Sequence, residues 1–297
     1  MKASPVRGRV FRGLAAAGLL LLCLRPALAA ELKIATWNLN WLSARPPGAA
    51  GLPPDVKPRA PADFAALRGY AGELDADIVA LEEVDGREAA SLVFPPDRYS
   101  IHMTRDRVTQ RVGFAVRRGL QYDINPDVTA LAGEPGSHLR SGADITLRLP
   151  SGSLRLLAVH LKQGCQFDRF DRSKRRACLI LHDQLAPLRD WIVARRAEAV
   201  PFLILGDFNR SMDRRDQFLA ELRTLMPLDR ATEGRSSPCW GAEAFIDHIL
   251  AGGAARSWMH NDTLRVLRYR ETDPAWKEKL SDHCPVSVRL TMPDNGG

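Results

Sequence analysis

Polar side chains able to hold a metal ion or move a proton recur at one kind of place in this sequence, the C-terminal end of an apolar run. Asn38 follows Lys33-Ile34-Ala35-Thr36-Trp37, and Glu83 follows Asp77-Ile78-Val79-Ala80-Leu81-Glu82. His160 follows Leu156-Leu157-Ala158-Val159, while Asp207 and Asn209 close the run Phe202-Leu203-Ile204-Leu205-Gly206. Asp247 and His248 follow Phe245-Ile246, and Asp282-His283 precede Pro285-Val286-Ser287-Val288. A charge at the end of a buried strand is costly unless a metal or partner compensates it. One such case is ordinary; the repetition predicts strand ends converging on a single site. Carboxylate and amide oxygens are hard ligands, suited to Mg²⁺ or Mn²⁺ rather than to a thiolate site. Two imidazoles beside them could move protons or stabilise a phosphate. No Ser nucleophile elbow, phosphate-cradling Gly loop or dinucleotide fingerprint accompanies them. The set fits metal-assisted hydrolysis of a phosphate ester with water as nucleophile.

These residues need strands to carry them. Leu32–Leu39 alternates apolar and polar residues, as a half-buried strand does. Residues 45–61 are rich in Pro and Gly and are expected to form a loop. Pro61–Leu74 follows as a helix, with Pro at its start and Phe64, Leu67 and Ala71 on one face. Asp77–Val84 is a short strand with a continuous apolar stretch. Tyr99–Met103, Val112–Arg117, Ala143–Leu149 and Leu154–Leu161 resemble antiparallel sheet, with a turn signal at residues 150–153. Arg172–Glu198 is the longest helical stretch, with Leu181, Leu185, Leu188 and Ile192 at helical spacing. Strands are expected at Phe202–Leu205, Phe245–Leu250 and Pro285–Leu290, and a helix at Arg214–Met226. The endings Thr36-Trp37-Asn38 and Gly206-Asp207-Phe208-Asn209 echo one another, a weak sign of two similar halves. Mixed strands and helices with no linker predict one domain of face-to-face sheets with helices outside.

The chain has 297 residues, 45% of them hydrophobic and 26% charged, which excludes a disordered tail and a small disulfide-stapled toxin. Its formal charge is +7, but residues 1–30 hold Lys2, Arg7, Arg9, Arg12 and Arg25 and no acid, leaving +2 for the rest. Basic residues up to Arg12, an apolar run from Gly13 to Leu24 and Ala27-Leu28-Ala29 match the three parts of a secretory signal. That run is too short to span a bilayer, which needs about 20 residues. Residues 1–29 are therefore expected to be a removed signal peptide, residues 30–297 the mature domain, and the protein exported, periplasmic or secreted. Cys165, Cys178, Cys239 and Cys284 remain, allowing three pairings. An oxidising compartment would let them pair. Cys165 with Cys178 would close a short loop, leaving Cys239 with Cys284.

In this order, Trp37-Asn38-Leu39-Asn40, Leu81-Glu82-Glu83-Val84, Val159-His160-Leu161-Lys162, Gly206-Asp207-Phe208-Asn209, Ile246-Asp247-His248 and Ser281-Asp282-His283-Cys284-Pro285 resemble the motifs of the endonuclease/exonuclease/phosphatase superfamily. The resemblance covers residues 32–290. It implies a four-layer α/β/β/α sandwich, two mixed and mostly antiparallel sheets face to face, with the site at one edge. By the same resemblance Glu83 is the principal metal ligand, with Asn38 and Asp282 as further ligands or their supports. Glu82 stands where the family often has Gln and would add negative field. Asp207 and Asn209 would position or deprotonate the attacking water and hold the phosphate. His283 would contact the scissile phosphate, oriented and charged by Asp247. His160 matches the second catalytic histidine of the deoxyribonuclease I-like branch. Arg140 lies where the family often supplies an arginine to phosphate. Gln110 falls near the position of a carboxylate behind His160, for which Asp106 is a possible substitute. His248 and Trp37 are expected to pack rather than react, as is Trp41.

The leading expectation is an Mg²⁺-dependent phosphodiesterase cutting nucleic acid, helped by basic clusters at Arg169, Arg172, Lys174, Arg175 and Arg176 and at Arg210, Arg214 and Arg215. The alternatives are a phospholipid (sphingomyelinase-like) phosphodiesterase, a small phosphate-ester phosphatase and, from another class, a non-catalytic binding module. A lipid enzyme usually needs an apolar, aromatic inserting element. Trp258, Met259, Tyr269 and Trp276 are the candidates for it, but they are interleaved with charges. No stable protein partner is implied.

Overall fold

Strands apolar on both faces need cover on both sides, and this chain supplies it in layers. The computed structural model describes residues 1, 2, 4, 31–134, 136–150, 152–241 and 244–293. Apart from residues 1, 2 and 4, the expected signal peptide lies outside the described residues, Cys23 included. In chain order the elements are β1 (Glu31–Leu42), α1 (Pro61–Leu74), β2 (Ile78–Val84), α2 (Arg87–Val93), β3 (Tyr99–Met103), β4 (Arg111–Arg117), β5 (Gln121–Ile124), β6 (Ala143–Leu149), β7 (Gly152–His160), α3 (Arg176–Ala197), β8 (Phe202–Asp207), α4 (Gln217–Arg223), β9 (Leu228–Arg230), β10 (Asp247–Gly252), α5 (Ala255–Trp258), β11 (Met259–Val266), α6 (Trp276–Lys279) and β12 (Val286–Thr291). Two six-stranded sheets result, ordered β11-β12-β1-β2-β4-β3 and β5-β6-β7-β8-β10-β9. Only the central pairs, β1 with β2 and β7 with β8, run parallel; the other neighbours are antiparallel.

Successive residues of a strand face opposite ways, and three apolar layers follow from that. Ile34, Ile78, Ala80 and Phe114 meet Ile145, Leu156, Leu203 and Ile249 between the sheets. Ala35, Val79, Leu81 and Ala115 pack outward on Phe64, Leu67 and Leu74 of α1 and Ala90 of α2. Leu157, Val159, Phe202 and Ile204 pack outward on Leu181, Leu185 and Leu188 of α3 and Leu219 and Leu222 of α4. This is the expected α/β/β/α sandwich. The continuous apolar stretch of β2 is thereby explained, since a helix covers one face and the second sheet the other.

For the elements the sequence predicts, the differences sit at element ends. The long helix begins at Arg176 rather than Arg172, after a segment tied by the Cys165–Cys178 disulfide. The helix expected over Arg214–Met226 is limited to Gln217–Arg223, its N-terminus set by Asp216, whose carboxylate accepts from Leu219 N–H. Cys239 pairs with Cys284, the second expected disulfide. Among the described residues no helix is long and apolar enough to cross a membrane.

Candidate active site

The C-terminal ends of the two parallel strand pairs meet at one edge of the sandwich. In register, Asn38 of β1 lies level with Glu82 of β2. In the other sheet Asp207 of β8 lies level with both His160 of β7 and Asp247 of β10. Asp282 and His283 arrive on the loop just before β12.

Backbone irregularities aim the side chains. The pairing of β1 with β2 slips between Asn38 and Leu42, where Asn40 (φ 44°) and Trp41 (φ 56°) are left-handed. The pairing of β2 with β4 slips between Leu81 and Val84, and Glu83 itself has φ 58°. Asn209 follows β8 with φ 53°. Left-handed backbone is uncommon for non-glycine residues and persists only where its surroundings impose it. The β2 bulge sends both adjacent carboxyl groups toward the site. Glu82 continues the inward face of Ala80, and Glu83 is swung out of the alternation into the cleft.

Glu83 accepts three hydrogen bonds from the protein. Its Oε1 accepts from Asn38 Nδ2 (3.1 Å), and its Oε2 accepts from Trp41 N (3.2 Å) and from Gln110 Nε2. Asn38 Nδ2 also donates to Asp207 Oδ2 (3.0 Å), while Asn38 Oδ1 accepts from Asn40 N (2.9 Å). The amide thus bridges two carboxylates and turns its oxygen toward the backbone. Asn209 N donates to Asp207 Oδ1 (2.7 Å), and Asn209 Nδ2 to Asp207 Oδ2 (3.2 Å) and Leu161 O (3.1 Å).

Both histidines turn Nε2 toward Asp207 Oδ2. His283 Nδ1 lies 2.9 Å from Asp247 Oδ2, and its Nε2 lies 3.8 Å from Asp207 Oδ2. Burial works against its charged form, but the carboxylates of Asp247 and Asp207 outweigh it and hold the pKa well above the ordinary histidine value. His160 Nε2 lies 3.5 Å from Asp207 Oδ2 and 3.7 Å from Glu83 Oε1. Burial, then the positive charges of Arg140, His283 and Lys162, push its pKa well below the ordinary value. At neutral pH one imidazole is therefore charged and the other neutral. Burial also raises the pKa of Asp207, with Asp247 and Glu83 adding to the rise and His283 opposing it.

Several expectations need correction. Neither Gln110 nor Asp106 backs His160: Gln110 links Glu83 to Arg140 Nη2 (2.9 Å), and Asp106 accepts from Ser141 N (2.9 Å) and Oγ (2.7 Å). His160 Nδ1 is buried without a partner. Glu82 is a weaker source of negative field than expected, because burial and the nearby Asp247 and Asp207 raise its pKa well above the ordinary carboxylate value. One of its oxygens accepts from Thr36 Oγ1 (2.8 Å) and the other has no partner. Arg210 does not offer its charge to a ligand: it is buried, bonded to Asp216 Oδ2 (2.6 Å) and to the carbonyls of Cys165 and Asp168. Arg175 pairs with Asp168, and Arg169 and Arg172 with Asp171.

Arg140 is no solvated surface residue. It is buried and lines a cleft of about 610 Å³ together with Glu83, His160, Lys162, Trp41 and Asp282. Trp41 is thus a cleft residue, whereas Trp37 is core, its Nε1 donating to Tyr269 Oη (2.9 Å), which in turn donates to His283 O (2.7 Å). His248 packs as expected, between Thr232 Oγ1 (2.6 Å) and Arg210 O (2.9 Å). Trp258, Met259 and Tyr269 are buried and offer no inserting element to a lipid surface.

Arg59 escaped the sequence reading. From the Pro/Gly-rich loop its guanidinium donates to the carbonyls of Leu39 (2.8 Å), Asn40 (2.8 Å), Trp41 (3.3 Å), Lys279 (3.0 Å) and Leu280 (2.7 Å). It fastens the β1 bulge to the loop carrying Asp282 and His283. Ser281 makes the same link, its Oγ donating to Asn38 O (2.7 Å) and accepting from His283 N (3.0 Å). A lone Arg between prolines carries no signal of this; only the contacts at long separation reveal it.

A comparison with curated protein sequences returns no match. Solved structures share the fold. The 3' phosphatase NExo from Neisseria, bound to product DNA hairpin, superposes with TM-score 0.60 at 17% identity, covering 88% of this chain and 100% of that one. The human Nocturnin catalytic domain with bound sulfate anion gives 0.58 at 15% identity, covering 89% and 95%. D. rerio TDP2 complexed with single strand DNA product gives 0.57 at 16% identity, covering 89% and 100%. The sequence profile that matches, over residues 35–283, takes in every strand end described above. By that match this chain belongs to the Endonuclease/Exonuclease/phosphatase family.

Proposed function

We propose that this protein is a divalent-metal-dependent phosphodiesterase, of deoxyribonuclease I-like type, that cleaves nucleic acid by water attack on phosphorus. The observation that carries the reading is the meeting of Glu83, Asp207, His160 and the Asp247–His283 pair, drawn from both sheets, at one edge of the sandwich. Two of the structural neighbours were solved with DNA products, which supports nucleic acid as the substrate.

The donor set fits a hard cation. Glu83 and Asp282 line the same cleft with oxygen atoms, and the four cysteines of the mature chain are all in disulfides. Asp207, Asp247 and His283 form a tighter cluster, their atoms within 4.8 Å. A charged imidazolium does not ligate a metal, so Glu83 and Asp282 are the better holders, with Asn38 orienting Glu83. Bound there, Mg²⁺ or Mn²⁺ would supply charge to the phosphoryl oxygens. Asp207, steadied by Asn38 and Asn209, accepts the proton of the attacking water. His283, held charged by Asp247, faces the phosphate, while Arg140 contributes a second positive charge. The new P–O bond forms as the ester P–O bond breaks, and His160 presents Nε2 to the departing oxygen.

We also infer export, on the support of the two disulfides and the leader-like residues 1–29. The test is nicking of plasmid DNA with Mg²⁺, Mn²⁺ or chelator. Nicking should vanish in chelator and in Asp207→Ala and His283→Ala. Cleavage of sphingomyelin with nucleic acid untouched would replace this reading with a lipid enzyme, and metal binding without any turnover would leave a binding module.

A further inference from the structure

Phe167 is the one aromatic side chain among the strongly exposed large hydrophobic residues of the described chain, at 69% of full exposure. It is not loose. The segment that carries it is closed by the Cys165–Cys178 disulfide. Arg210, itself buried and ion-paired with Asp216, grips the carbonyls of Cys165 (2.7 Å) and Asp168 (2.9 Å) on either side of it. Ser211 N donates to Gln166 O (3.1 Å), and Arg175 bonds the Asp168 carboxylate (2.9 Å). Three residues on, Phe170 is buried against Phe218, His182 and the Arg210 guanidinium. Phe170 therefore anchors this loop, and Phe167 is held out of the core although the loop has no need of it there.

What Phe167 faces gives it a use. It lines a hollow of about 450 Å³ whose other walls include Gly164, Gln166, Arg175 and the site residue Asn209. A second hollow, of about 400 Å³, lies against Phe167 toward Arg169, Ser211 and Arg215. The ring thus stands as a partition beside the phosphate-handling centre. Its surroundings are polar and charged rather than a wider apolar patch, which suits a flat aromatic ligand and not insertion into lipid. Stacking on an aromatic face is the sequence-tolerant way to hold a single-stranded base.

Resting on the nucleic-acid reading above, we propose that Phe167 is the stacking platform for a nucleobase next to the scissile phosphate. The disulfide and Arg210 fix the loop so that the ring is in place before substrate arrives. Phe167 is then a specificity-determining residue that selects strands with unstacked, accessible bases.

The test is binding in chelator, where nothing is cut, read by anisotropy of two labelled oligonucleotides of equal length and charge, one single-stranded DNA and one lacking all bases. Phe167→Ala should weaken binding of the DNA about 10-fold and leave the base-free strand unaffected, and Phe167→Trp should restore the DNA affinity. An unchanged unfolding midpoint identifies the loss as local; a lowered one, with both strands weakened alike, overturns the proposal in favour of a structural role. Equal affinity of wild type and Phe167→Ala for DNA overturns it as well. So does loss of binding to phosphatidylglycerol vesicles with DNA binding intact, which would make Phe167 a membrane contact. If the wild type nicks plasmid yet Phe167→Ala binds DNA normally, the stacking role alone fails; if the wild type neither nicks plasmid nor binds DNA, the nuclease reading fails with it.

Discussion

Glu82 and Glu83 are neighbours in sequence and opposites in chemistry, because one backbone angle separates them. Glu83, at φ 58°, meets three hydrogen-bond donors at the cleft. Glu82 is wholly buried between the sheets, with Thr36 on one oxygen and nothing on the other. Burial works against its charged form and pushes its pKa up. Glu82→Gln, which keeps shape and removes the proton question, is therefore expected to change kcat by less than about threefold, whereas Glu83→Gln should remove most activity. Steady-state kinetics on one oligonucleotide checks both. His248 gives a pH prediction of definite sign. Its burial depresses the pKa from 6.5 to about 3. As pH falls the unfolded chain takes up the proton first, so the stability this residue secures is complete above about pH 6.5 and declines down to pH 3. Between pH 7 and 5 the decline is about 2 kcal/mol. Urea unfolding of wild type and His248→Gln at both pH values should show that excess loss in the wild type alone. Apart from Arg59, the polar residues of the candidate site were legible in sequence. Which carboxyl group would ionise was not, since that depends on a bulge no residue type announces.

Elements place these groups through their defects as much as through their regularity. The alternation and apolar runs of β1, β2, β6, β7 and β8 marked out the strands, and Pro61 marked the start of α1. The short outer elements were missed for a physical reason. β5 and β9 have four and three residues, and β11 (Met-His-Asn-Asp-Thr-Leu-Arg-Val) pairs only with β12 at the sheet edge, so five of its eight residues are polar. The sequence likewise gave no hint that β1 runs on past Asn38 through a left-handed step to Leu42. Arg59 holds that step. Its planar fork reaches five carbonyls, and a lysine ammonium cannot reproduce that geometry. Arg59→Lys should thus cost about 2–4 kcal/mol in unfolding free energy and lower kcat/KM, with Arg59→Ala no worse. Full recovery of activity in the lysine variant would show that only the charge matters. Gly206 is a second such point. A Cβ there would lie 1.9 Å from Val159 O, and φ is +144°. Gly206→Ala must push β7 from β8 and is expected to abolish the folded protein, read as loss of its cooperative melt.

At the scale of the molecule the two sheets are built alike. From the β11 edge and from the β9 edge, neighbouring strands run antiparallel, antiparallel, parallel, antiparallel, antiparallel. On that count β1 corresponds to β8 and β2 to β7, which sets Asn38 opposite Asp207 and Glu82 opposite His160. The echo between Trp37-Asn38 and Asp207-Phe208-Asn209 thus falls on corresponding strands. A site assembled across such a seam depends on whatever keeps the sheets in step, and beyond the apolar layer the Cys239–Cys284 bond does this beside His283. In the chain-entropy account, closing its 45-residue separation stabilises the fold by about 4 kcal/mol, against about 3 for the 13-residue separation of Cys165 and Cys178. The paired variant Cys239→Ser/Cys284→Ser should accordingly unfold at lower denaturant than Cys165→Ser/Cys178→Ser. It should also lose nicking activity at denaturant concentrations where its circular dichroism is still native, because the loop bearing Asp282 and His283 is freed before the sheets part. Coincident loss of activity and of structure would mean that the apolar layer alone holds the seam, and that this disulfide serves the whole fold rather than its reactive edge.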